Sequence, residues 1–95
     1  MSIVNFDGKD LNVHPCTLED LDVLSNNYNI ESSDFQEGKN VSPAKIKNLV
    51  CYIVNRADPS YSDFSVIASK IVILDTVLQN LLVAFWGKSD NPISS

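Results

Sequence analysis

Apolar and polar positions along the chain change period several times, and each change marks an expected element. Ile3-Val4-Asn5-Phe6 is a short β-prone run, followed by Asp7-Gly8. Asp-Gly between two such runs is a two-residue hairpin signal, because Gly accepts positive φ freely. Lys9 to Val13 alternates polar and apolar toward its end, as a half-buried return strand does. The pattern predicts a β-hairpin over residues 2–13 that must pack its apolar face on helices to be stable.

Pro15 ends the strand, and the period then lengthens. Thr17 reads as a helix N-cap, with Asp20 three residues on in an approximate capping box. Leu18, Leu21, Val23, Leu24 and Tyr28 are expected to form the apolar face of a helix running to about Tyr28. Residues 29–41 are polar and read as a loop, with Phe35 as its anchor. Ser42-Pro43 opens a second helix, with Ser as cap and Pro at the first helical position. Ile46, Leu49, Val50, Ile53 and Val54 recur at the spacing of one helical face, with Cys51 and Tyr52 on its flank.

Pro59 disfavours helical geometry at Asp58 and ends that helix. Ser62 is the expected cap of a short third helix carrying Phe64, Ile67, Ala68 and Ile71. A last helix is predicted from Leu74, Val77, Leu78, Leu81, Leu82 and Phe85, with Gly87 as its C-cap and Lys88 at its negative end. Residues 89–95 read as a frayed tail. The fold class expected is therefore mainly α: one domain over residues 1–95, with a hairpin at 2–13 and about four helices within 17–88.

Composition narrows what such a domain can do. The 95 residues carry a net charge of −5, and 44% are hydrophobic. Residues 1–40 hold two lysines and eight acids, whereas residues 41–95 hold five basic and four acidic residues. An acidic surface is repelled by phosphate backbones, which argues against nucleic acid as a partner. The apolar segment from Ile71 to Trp86 is too short and too interrupted for a membrane span. No basic region followed by an apolar run opens the chain, so a cytoplasmic setting with Cys16 and Cys51 reduced is the expectation.

Candidate chemistry is sparse. His14 is the single histidine, and near-adjacent Cys16 is a poor nucleophile partner for it, because neighbours in sequence seldom aim at one substrate atom. Structural zinc takes four Cys or His ligands, and the chain has three such residues in all. Glu19, Asp20 and Asp22 cluster on the first helix, but Glu19 and Asp22 share one face pointing to solvent, so a solvated face is expected rather than a cation site. The three glycines, Gly8, Gly38 and Gly87, are too far apart for a phosphate-binding loop. Neither an enzyme nor a cofactor is expected. A protein-binding surface is, on the last helix around Leu82, Phe85 and Trp86, with Tyr52 and Tyr61 as lesser candidates. Trp86 has two readings, a cover for the hairpin or part of an interface.

The order of signals resembles the tail assembly chaperones of long-tailed bacteriophages. The matching features are Gly8-Lys9 in the hairpin, the helix from Leu21 to Ile30, and Ala57-Asp58-Pro59-Ser60 at the end of the second long helix. The resemblance spans about residues 2–86 and rests on turn and cap signals. It implies a non-enzymatic protein that binds the tape-measure protein, and sometimes tail-tube subunits, and keeps them soluble in the host cytoplasm until the tail assembles. Self-assembly is compatible with that role. Members of the group are often made in two lengths by frameshifting, and Trp86-Gly87-Lys88 is where slippery codons would fall. Two other readings stand beside it: an acidic immunity or antitoxin-type inhibitor that masks a basic site, and a head–tail connector component.

Overall fold

The computed structural model describes residues 2–35, 41–72 and 76–86. The architecture is a two-stranded antiparallel hairpin followed by helices. Strands β1 (Ser2–Phe6) and β2 (Lys9–Val13) pair from Ser2 with Val13 to Phe6 with Lys9. The turn is Asp7-Gly8, with φ of 55° and 79° at its two positions. Both angles lie in the left-handed region, which matches a primed turn and the right-handed twist of the strands. Val4, Phe6, Leu11 and Val13 face inward, each 4% exposed or less.

Helix α1 spans Leu18–Tyr28 and opens with a complete capping box. The Thr17 hydroxyl accepts from the Asp20 N–H at 3.2 Å, and the Asp20 carboxylate accepts from the Thr17 N–H at 3.0 Å. Asn29 closes the helix in the left-handed conformation, φ 56°, a state that Asn tolerates better than most residues. A single 3₁₀ turn, Ser32–Phe35, lies within the stretch expected to be irregular.

Helix α2 (Pro43–Ala57) starts as its sequence demands, with the Ser42 hydroxyl accepting from the Lys45 N–H. Leu49, Val50, Ile53 and Val54 are buried. Cys51 is buried as well, at 1%, and so belongs to the core and not to the helix flank. Helix α3 (Phe64–Ser69) begins one residue later than expected. Its cap is Asp63, whose carboxylate accepts from the Ser65 N–H at 2.9 Å. Ile71 therefore follows the helix instead of ending it.

Helix α4 (Thr76–Trp86) buries Leu81, Ala84 and Phe85. It packs against β1 while α2 packs against β2, so these two helices together cover the inner face of the hairpin. The core gathers Phe6 and Val13 from the hairpin, Leu24 from α1, Leu49 and Ile53 from α2, Ile67 from α3, and Leu81 and Phe85 from α4. One backbone bond ties the two ends of this arrangement. The Cys16 N–H donates to the Phe85 carbonyl at 2.7 Å, joining the turn after β2 to the last turn of α4. The expectations for the Phe35 side chain, Leu74, Gly87, Lys88 and residues 89–95 fall outside the described residues.

Polar tethers fasten the hairpin to the helices. Lys9 sits opposite Phe6 in the register and so lies on the inner face at its turn end. Its ammonium lies 3.0 Å from the Asp58 carboxylate and 5.3 Å from the centre of the Tyr61 ring. Tyr61 meets Phe6 edge-on at 5.3 Å. Asp7 at the turn pairs with Lys70 at 3.3 Å.

Candidate docking groove and the Asp20 cluster

α1 carries a carboxylate to the inside. Asp20, Leu24 and Tyr28 recur every four residues and form the inward stripe of the helix. Asp20 is 1% exposed. The expected solvated face holds for Glu19 and Asp22, which are exposed, whereas Asp20, expected as the capping-box partner of Thr17, is buried as well. Leu18 shows the same rotation from the other side. Placed in the expected apolar face, it is instead 85% exposed, because two residues of a helix with ~3.6 residues per turn separate it from Asp20 by more than half a circle.

The buried carboxylate is fully occupied. Besides the Thr17 N–H it accepts from the Thr17 hydroxyl at 3.0 Å, from the Tyr52 hydroxyl at 2.6 Å and from Arg56 Nε at 2.7 Å. Burial alone pushes the Asp20 pKa up, but the bonds from Tyr52, the Thr17 N–H and Arg56 outweigh it and hold the carboxyl below its usual range. Burial and the bond to Asp20 push the Tyr52 hydroxyl far up. Cys16 is pushed up to about 11, mainly by burial and further by the Asp20 charge. A thiol with so high a pKa is a poor nucleophile at neutral pH. The cluster is an anchor between α1 and α2.

The residues expected on a docking surface have different fates. Phe85 does not lie on the surface. It is 2% exposed and meets Tyr52 and Trp86 edge-on at 6.3 and 5.1 Å. The reason is helical phase: Leu81 and Phe85, four residues apart, share the inward side of α4. Tyr52 is committed to Asp20, and Tyr61 is wedged between Phe6 and Lys9. Leu82 and Trp86 are half-buried against the core. With Leu78 they form an i, i+4, i+8 line along one flank of α4.

That flank leads to a feature not foreseen from the sequence. A cavity of about 170 Å³ opens between α2, α3 and α4. From α2 come Pro43, Ile46, Val50 and Cys51; Ala68 and Ile71 close the far side, and Leu78 of α4 completes the wall. Among the described residues of the lining, Lys47 is the charged one, and it is exposed. A sequence signal for this groove existed in Pro43, Ile46 and Val50, which continue one helical face beyond what the hairpin covers. Nothing local says that α3 and α4 wall this face without filling it.

No family model, no curated protein and no solved structure matches the chain. Among the described residues, no three or more His, Cys, Asp or Glu side chains gather where they could hold a metal ion. No helix among them is long and apolar enough to cross a membrane. Part of the acidity concentrated in residues 1–40 is consumed internally, since Asp7, Asp20 and Asp34 are each ion-paired.

Proposed function

We propose that this protein is a non-enzymatic tail assembly chaperone, of the kind found in long-tailed bacteriophages, which its sequence resembles. In this reading it binds the tape-measure protein in the cytoplasm of the host and keeps it soluble before the tail is built, with tail-tube subunits as a second client. The observation that supports it is the apolar groove between α2, α3 and α4. A long helical client must have its own apolar stripe covered before assembly. A groove walled by Ile46, Val50, Ile71 and Leu78 offers that cover to one helical segment at a time. The net charge of −5 keeps the resulting complex soluble.

The test is co-expression with the tape-measure protein of the same genome. The client is expected to stay in the soluble fraction and to co-elute with this chain, and to precipitate without it. Ile71→Glu, on the half-buried groove wall, is expected to abolish co-elution while helicity is retained. A tape-measure protein equally soluble alone, with no complex formed, rejects the proposal. Salt separates this reading from an acidic inhibitor, whose contacts weaken steeply as ionic strength rises while apolar docking persists.

A further inference from the structure

We infer that the segment seated in this groove is an amphipathic helix of the partner carrying a carboxylate beside its apolar stripe, and that Lys47 reads that carboxylate. The inference rests on the docking role proposed above and adds the chemistry of the occupant.

Four described cations are already committed within the chain. Lys9 holds Asp58, Lys45 holds Asp34, Arg56 holds Asp20 and Lys70 holds Asp7, at distances from 2.7 to 3.3 Å. Lys47 is the one described lysine or arginine outside these pairs. Acids outnumber bases twelve to seven in this sequence, so a cation left without an internal carboxylate runs against the composition. It also stands in a particular place, exposed on a groove whose other described lining residues are apolar, one turn before Cys51 and Val50.

A lysine in that position can lay its methylene stem along the wall and hold its ammonium at the opening. A helix resting on Ile46, Val50, Ile71 and Leu78 then presents the residue flanking its stripe to the ammonium. A carboxylate there forms a charge-assisted pair in a partly desolvated mouth, whereas a lysine or arginine meets a like charge. The pairing selects a segment and fixes its register. It does not recruit acidic proteins in general, because the net charge of the chain repels them.

The experiment uses the full chain and three fluorescein-labelled amphipathic helices of roughly 18 residues, identical in their Leu/Ile stripe, with Glu, Gln or Lys at the flanking position. Fluorescence anisotropy at low salt is expected to rank them Glu, Gln, Lys in falling affinity, with about fivefold or more between the ends of the series. Lys47→Glu is expected to invert that order. Lys47 is exposed and outside the described ion pairs, so this variant keeps the fold, which circular dichroism verifies. If the three peptides bind equally, and Ile71→Glu abolishes all binding while Lys47→Glu does nothing, the docking role survives and this inference is overturned. If no peptide binds either chain, the docking role falls and takes the inference with it.

Discussion

The Tyr52 hydroxyl donates a 2.6 Å hydrogen bond to the Asp20 carboxylate, joining the middle of α2 to the first turn of α1. Asp20 is at the same time the third residue of the helix, whose side chain closes the capping box on Thr17. One carboxylate therefore starts a helix and docks it. Arg56, half in solvent, completes the charge balance from one turn further along α2.

Removing that carboxylate costs both roles. Asp20→Ala loses the carboxylate half of the capping box, while the Thr17 cap itself stays, and leaves the Tyr52 hydroxyl without its acceptor, an expected loss of about 2–4 kcal/mol. Tyr52→Phe removes one bond and leaves the carboxylate with Thr17 and Arg56, for a loss of about 1–2 kcal/mol. Urea unfolding followed through the single tryptophan, Trp86, measures both. Strictly additive losses in the double variant would contradict the coupling described here.

Acid acts on the same bond. The folded Asp20 pKa lies below its unfolded value, held down by Tyr52, Thr17 and Arg56 against the effect of burial. Its contribution to stability is therefore complete above the unfolded carboxylate pKa of about 3.9 and is lost as pH falls through the folded value. Stability of the wild type is expected to drop below about pH 4 more steeply than that of Asp20→Asn, which cannot titrate there. Parallel acid profiles for the two proteins would show that Asp20 is not the group responsible.

Two residues three apart on α4 separate core from surface. Phe85→Ala empties a site that is 2% exposed and is expected to cost about 3–5 kcal/mol. Leu82→Ala, at a half-buried position, is expected to cost less, about 1–2 kcal/mol. Thermal unfolding of each variant gives the comparison, and equal losses would contradict the phase of α4.

The rotation of α1 has a matching test. Leu18→Gln alters a side chain that is 85% exposed and is expected to change stability by no more than about 0.5 kcal/mol. Leu24→Ala, at 0% exposure, is expected to cost about 2–5 kcal/mol. A large loss from Leu18→Gln would place it in a contact that the fold does not show.

The sequence by itself determined the elements and most of their boundaries. Asp7-Gly8, Thr17 with Asp20, and Ser42-Pro43 act through hydrogen bonds and backbone preferences confined to a few residues, so they are legible without a fold. The α3 cap moved from Ser62 to Asp63 because both residues can accept a backbone N–H, and local pattern does not rank them. Tertiary structure alone decided which side of each helix faces inward. Asp20 read as a capping residue alone and is also buried, Leu18 looked buried and is exposed, and Phe85 belongs to the core. It also decided that Pro43, Ile46 and Val50 meet Ala68, Ile71 and Leu78 around open space. Burial is a property of pairs of elements, and a periodic stripe tells how wide an apolar face is without telling what, if anything, arrives to cover it.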